Sequence, residues 1–463
     1  MNKGSLWNKV LAFQFEKEND EYGFTVRLST ENLWTINFTE KAILEYKKFM
    51  YLAAVSDQMV SPSEIVDTVW HQHLIFTGSY NKFCGILGKQ IQHVPSTHNK
   101  ADYQAFIDAK ERTKVLYEKH FGLQDQSIWN YSSIFESLNL KKSKISLKTA
   151  TILGINAVIV LAIPFYYVLK PLYIEFDSAI FFSFLIIIIV ISVAFLKIRN
   201  DFKLKEMVNL FDENSFVFDL TPHEIIYVKN TNLKDVLISS INKMLDDGSL
   251  SIRDKKIKVT RGIDPKNSVE KEVYKVISSQ NNAVFLDLIS ILINKPLLKS
   301  ISSSMNGFQK YFIKSQKFVS LFLVNFCVLN FLFLLSFTRI ITGLNRDKPV
   351  LLIILFTLCL FIFILYFLDN LMTQFFRQTL PKFYLQQLIN NEGNNINLEW
   401  KYLISGTVIL SQPLHAIINS SASKLTYSGS DAGSGGCSGG DSGSGSSCGS
   451  SCGSSCGGCG GGD

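Results

Sequence analysis

Apolar positions along this chain follow two patterns. In four places they run together for the length of a bilayer core, and elsewhere they recur every third or fourth residue. A hydrocarbon layer about 30 Å thick needs roughly 18 or more nearly uncharged residues in a helix. That length is met by residues from about Thr149 to Leu169, Ser178 to Leu196, Phe318 to Phe337 and Pro349 to Leu368. The run Leu185–Ile191 has no polar face to offer water, so a buried helix of a soluble protein is the weaker reading. The spans pair into two hairpins. The first is joined by Lys170–Asp177, and the second by a loop holding Arg339, Arg346, Asp347 and Lys348. Within these spans Asp, Glu, Lys, Arg and His are missing, which argues against a pump or a coupled transporter and reads the helices as anchors.

The stretches between the spans carry helix periodicity. Ala42, Ile43, Tyr46, Phe49, Met50 and Ala53 form one stripe over Phe38–Ala54. Ser61-Pro62-Ser63-Glu64 reads as a capping box with Ser61 as cap, opening a helix from Pro62 to about Phe83. A further helix is expected over Gln104–His120, closed at Gly122. Beyond the first hairpin, Thr221-Pro222-His223-Glu224 is a second capping box, and a helix over Leu233–Asp246 stops at Gly248. Alternating runs at Leu250–Ile252 and Ile257–Val259 predict a small hairpin, followed by helices over Val269–Ser279 and Ala283–Ile293. This order suggests a winged-helix-like domain. Its second helix offers no Arg and offsets Lys234 and Lys243 with Asp235, Asp246 and Asp247, so sequence-specific nucleic acid is an unfavoured partner. Leu398–Ile418 is patchily apolar and broken by Lys401 and Pro413, as in an interfacial or packed helix.

Composition sharpens the picture. The 463 residues are 47% hydrophobic and 18% charged, with 36 Phe against 10 Pro, which excludes a fully disordered chain. The net charge of +7 is mild for this length and announces no nucleic-acid binder. Basic residues instead sort by position. Lys141, Lys142, Lys144 and Lys148 precede the first span, and Lys197, Arg199, Lys203 and Lys205 follow the second. By the positive-inside rule both termini are cytoplasmic in an inner membrane; the second loop, with Arg339, Arg346 and Lys348, dissents. Met1–Val10 has no cleavable-signal pattern.

The expected architecture is mainly α. A helical N-terminal cytoplasmic domain (1–147) is followed by a transmembrane hairpin (148–197), a winged-helix-like central domain (198–316), a second hairpin (317–369), an interfacial segment (370–427) and a disordered Gly/Ser/Cys tail (428–463). The tail cannot bury a core.

Candidate chemistry gathers in the first domain, which holds His71, His73, His93, His98 and His120. On the helix expected from Pro62, His73 falls in the apolar sector with Ile65, Val69, Phe76, Tyr80 and Phe83, while His71 points to the far side. Histidines two apart on a helix cannot grip one ion. Asp67 lies one turn before His71, so these two can be ligands for zinc or another transition metal, or an orienter and a base, with His93 or His98 completing the set. Against this stands the ordinary reading of His73 as a core residue, Asp67 with His71 as a surface pair, Trp70 as a core anchor and Cys84 as a buried small hydrophobe.

In the tail, Cys437, Cys448, Cys452, Cys456 and Cys459 form a closely spaced thiol set that soft metal ions favour, although the Gly/Ser surroundings supply no second shell. In a reducing cytoplasm they remain free thiols. Phosphate loops, nucleophile elbows, His-Glu-x-x-His helices and kinase motifs are lacking.

The block Ser61–Leu74 with its Asp-x-x-Trp-His-x-His-Leu core, followed by Tyr80, Phe83-Cys84, Leu87-Gly88, His93 and Pro95, resembles the glycine-rich domain protein family, including bacterial membrane members with Gly/Cys-rich tails. The resemblance marks Asp67, Trp70, His71, His73 and His93 as motif positions and implies no chemistry for them. Three functions follow as expectations. The first is a membrane-anchored scaffold or protein-interaction module, with the lipid bilayer and protein partners as its contacts. The second is a metal-dependent, hydrolase-like enzyme using Asp67, His71 and His93. The third is a metal or redox sensor acting through the tail cysteines.

Overall fold

In the computed structural model the described residues are 3–427, apart from 17–19, 95–99, 254–255, 261–264, 281–282 and 393–396. The tail and its five cysteines, and His98, lie outside them. By the density of contacts, residues 1–417 form one compact unit and 418–463 a second.

The N-terminal region is a stack of helices: α1 (Lys3–Ala12), α2 (Phe24–Asn32), α3 (Ile36–Val55), α4 (Glu64–Ile75), α5 (Thr77–Leu87), α6 (Lys100–Phe121) and the short α7 (Gln126–Trp129). The stripe expected on α3 is its buried face, with Ala42, Tyr46, Phe49 and Met50 in the core, and Gly122 closes α6 with a positive φ of 84°. The helix expected from Pro62 to Phe83 is two helices. Ser63, not Ser61, caps the first, its hydroxyl accepting from the Val66 amide at 3.2 Å. The chain then leaves helical geometry at Phe76 (φ −87°, ψ 59°) and starts again at Thr77. Thr77-Gly78-Ser79 is a run of weak helix formers, so little opposes the break. Ser61 is instead held to α6, its amide donating to Thr113 Oγ1 at 2.9 Å.

Among the described residues four helices are long and apolar enough to cross a membrane, and they mark a membrane protein: α8 (Leu147–Glu175), α9 (Ser178–Val208), α15 (Gln316–Leu344) and the helix beginning as α16 (Leu351–Gln374). Each outlasts the apolar run that announces it. The expected first loop is mostly helix, because α8 continues through Pro164 and Pro171 to Glu175. Arg339, expected in the second loop, lies inside α15. Its guanidinium donates to the carbonyls of Tyr173 and, at 3.1 Å, of Phe176, while stacking over Phe181. It thus satisfies acceptors that the end of α8 leaves open. The fourth helix does not end near Leu368. It runs through a π turn at Phe375–Thr379 into α17 (Leu380–Glu392).

Half of the most apolar window of α15 is buried, against none of that of α8, which puts α15 at the centre of the bundle. Polar groups bolt the helices together. Asn200 and Asn325 exchange amide hydrogen bonds of 2.9 and 2.8 Å between α9 and α15, and Ser336 meets Thr357 at 2.5 Å between α15 and α16. Gly154 allows a close approach of α8 to α15, since a Cβ there would stand 2.4 Å from the Phe326 ring.

Between the hairpins run α10 (Pro222–Asn230), α11 (Leu233–Asp246), β1 (Leu250–Arg253), β2 (Lys256–Val259), α12 (Ser268–Gln280), β3 (Ala283–Val284), α13 (Phe285–Ile293) and α14 (Pro296–Ile313). The capping box at Thr221 and Glu224 forms as expected. The hairpin is antiparallel with Ile252 opposite Ile257, and a third strand joins it, so the expected helix from Ala283 begins only at Phe285. Glu224 also accepts from the Ile36 amide at 2.9 Å, tying α10 to the start of α3. The segment Leu398–Ile418 is α18 (Leu398–Ser405), a 3-10 turn and the start of α19 (Gln412–Tyr427). Its first helix packs on α10 and α11, with the Lys229 ammonium donating to the Leu403 carbonyl at 2.6 Å.

Candidate functional site

The motif residues separate into a buried set and a surface set. His73 is wholly buried among Phe15, Phe24, Tyr46, Tyr80 and Phe83. Its Nδ1 lies 2.9 Å from the Tyr46 hydroxyl and its Nε2 3.2 Å from Ser79 Oγ, so both ring nitrogens are occupied. Burial pushes its pKa down to about 4, which keeps the imidazole neutral. The break at Phe76 turns Tyr80 and Phe83 back onto His73 from the side, rather than along one helix face.

On the opposite side of α4 the Asp67 carboxylate receives two imidazoles. His93 Nε2 stands 2.9 Å from Oδ1 and His71 Nε2 3.3 Å from Oδ2. The two rings are 4.4 Å apart, and one ligand atom from each of the three residues falls within a sphere of mutual distances no greater than 4.8 Å. His71 is exposed, whereas Asp67 and His93 are half-buried. A tetrahedral ion with bonds of about 2.0–2.1 Å has ligand–ligand edges of roughly 3.3 Å, within the 4.8 Å that bounds one ligand atom from each of the three residues. His71 reaches Asp67 by the i,i+4 spacing. His93 arrives from the segment after α5 by a relay that starts in the core.

Trp70 Nε1 donates to the Tyr80 hydroxyl at 3.1 Å, and that hydroxyl donates in turn to the Ile91 carbonyl. The backbone two residues before His93 is thereby fixed to α4 and α5. The Trp70 ring also stands edge-on to His93 with centroids 4.7 Å apart. Trp70 is therefore both the core anchor expected and a positioning residue for His93. Tyr80 was legible as a motif position, but its link to Ile91 had no sequence signal. Cys84 is buried, as expected, and His120 stands edge-on to Tyr51, away from the cluster.

A second ionic cluster had no counterpart in the sequence reading. His223 on α10, Lys243 on α11, Glu270 on α12 and Glu399 on α18 are all buried. Lys243 Nζ is 2.5 Å from Glu270 Oε1 and 3.6 Å from Glu399 Oε2. His223 Nε2 lies 3.1 Å from Glu399 Oε1 without hydrogen-bond geometry. Lys243, which the sequence shows only as a charge offset by Asp235, Asp246 and Asp247, is the centre of this cluster and pairs with Glu270 and Glu399 instead.

A model of the UCP032817-like family matches residues 27–111, a stretch that contains Asp67, Trp70, His71, His73 and His93 and excludes the membrane helices. No curated protein and no solved structure matches the chain.

Proposed function

We propose that this protein is a membrane-anchored binding module whose N-terminal helices hold a transition-metal ion, zinc first, between Asp67, His71 and His93. The observation that carries the reading is the convergence of three ligand atoms from α4 and the segment after α5 on one point at the surface. A carboxylate and two imidazoles suit zinc, and three protein ligands leave a coordination position open. That open position is what a partner side chain needs in an interaction module, and it also supports the hydrolase-like alternative, in which the ion supplies an activated water.

The test uses the full-length protein in lipid nanodiscs. Metal analysis after dialysis against limiting zinc should give one equivalent, lost in His71→Ala and Asp67→Asn while thermal melting without metal is unchanged. Equal zinc content in the wild type and both variants removes the site. Ester or phosphoester turnover that needs both zinc and His71 selects the enzyme over the module.

Both termini face the cytoplasm of an inner membrane in this proposal. The lysines and arginines before α8 and after α9 support that orientation. Labelling of the tail cysteines by an impermeant reagent in intact cells overturns it. The likeness of the motif and tail to the glycine-rich domain proteins is consistent with a family of anchored modules, and the order α10, α11, hairpin, α12 supports a winged-helix-like central region used for protein contact.

A further inference from the structure

Where α9 and the continuation of α16 leave the apolar zone, they enclose a cleft of about 320 Å³ lined by Asp201, Lys205 and Asn209 from one side and Gln378, Lys382 and Gln386 from the other. We propose that this cleft binds the phosphate of an anionic lipid headgroup. The proposal rests on the membrane reading of the four helices and is independent of the metal site.

Three observations carry it. The first is depth. At 1.5 Å per residue, Asp201 and Lys205 lie about 8 and 14 Å beyond Leu196, where the apolar run of α9 ends. The polar headgroup zone extends roughly 5–8 Å beyond the hydrocarbon on each side, so Asp201 stands at its outer edge and the lysine backbones lie beyond it, on its aqueous side, within the distance over which an anionic membrane surface acts on juxtamembrane lysines. The second is charge. Lys205 and Lys382 are exposed and neither forms an ion pair among the described residues. The cleft's carboxylate is already engaged, since Asp201 Oδ1 accepts from Gln374 Nε2 at 2.5 Å. Two free ammonium groups with the amides of Asn209, Gln378 and Gln386 make a donor set for a phosphate oxyanion.

The third is the backbone. The π turn Phe375–Thr379 falls at this level and contributes Gln378 to the lining. Such turns are uncommon and recur at functional positions. The volume suits a headgroup, being at the small end of the range for ligand sites.

Full-length protein is reconstituted in nanodiscs of phosphatidylcholine with a minor fraction of phosphatidylglycerol, extracted in mild detergent and weighed by native mass spectrometry. The wild type should retain phosphatidylglycerol. Two juxtamembrane lysines at about 1 kcal/mol each correspond to about thirtyfold weaker retention in the double variant Lys205→Gln, Lys382→Gln. Asp201→Asn, which keeps an acceptor for Gln374 and removes the negative charge, should retain more than the wild type. Equal retention in all three proteins overturns the proposal. Inorganic phosphate separates the sources. If it binds the wild type in pure phosphatidylcholine discs, fails with the double variant, and phosphatidylglycerol is not retained, the cleft is a soluble-phosphate site and the lipid assignment falls.

Discussion

His71 and His93 reach Asp67 by unequal means, and the difference decides which residues beyond the ligands matter. His71 needs only the pitch of α4. His93 depends on the relay from Trp70 through Tyr80 to the Ile91 carbonyl. Trp70→Phe keeps an aromatic ring at this buried position, although a smaller one, and deletes the donor. Because such supporting hydrogen bonds typically carry 10–100-fold in metal affinity, zinc binding should weaken by about tenfold while His71 still contributes. Competition titration with a chromophoric chelator reads this, and unchanged affinity rejects the relay. On the buried side, Tyr46→Phe leaves His73 Nδ1 without its partner in a site closed to water. The cost is that of an unsatisfied buried polar group, about 1–3 kcal/mol, seen as a lower melting temperature with zinc affinity little changed.

Helices and strands differ in how much of them could be read from composition alone. The four spans were legible because bilayer length and apolarity are local properties of the chain. Their ends were not. Arg339 looked like a loop charge, but it lies inside α15, where the carbonyls of Tyr173 and Phe176 occupy it. The break between α4 and α5 was missed because an apolar stripe continues through Phe76, Tyr80 and Phe83, although the Thr77-Gly78-Ser79 run carried the signal. The pairing of Asp67 with His71 was legible from spacing, whereas the choice of His93 depends on a contact between Tyr80 and Ile91 that no periodicity encodes. Between spans, the reciprocal amides of Asn200 and Asn325 make a further prediction. Asn325→Leu alone leaves Asn200 facing an apolar neighbour and should cost about 1 kcal/mol, near the range measured for polar contacts between membrane helices. Adding Asn200→Leu should recover most of that loss in a double-mutant cycle of detergent unfolding. Additive losses would show that the two amides do not act as a pair.

At the scale of the molecule, the chain after the fourth span returns to the region after the second, and Glu399 is where it is held. α18 places this carboxylate between His223 of α10 and Lys243 of α11, with Glu270 of α12 on the far side of Lys243. Burial pushes the Glu399 carboxyl up, but His223 and Lys243 outweigh it and the pKa lies below the ordinary value of 4.5. Folded protein therefore holds this proton less tightly than unfolded protein. The contribution of Glu399 to stability is fully present above about 4.5 and is lost as pH falls through the lowered folded value. Glu224, buried in the capping box, has its carboxyl pushed the other way by burial, so acidification relieves a cost there and the net curve mixes the two. Comparison of the wild type with Glu399→Gln isolates one of them. The variant gives His223 a neutral neighbour while Lys243 keeps Glu270, and should lose about 1–3 kcal/mol at neutral pH, the scale for a polar group left poorly satisfied in the interior. Its melting temperature should then fall less steeply than that of the wild type as the full-length protein in detergent is acidified below about 5. Parallel pH curves would mean that Glu399 is not ionised in the folded chain, and the junction between α18 and α10–α11 would have to be held by Lys229 on the Leu403 carbonyl and Asn242 on the Ser411 amide instead.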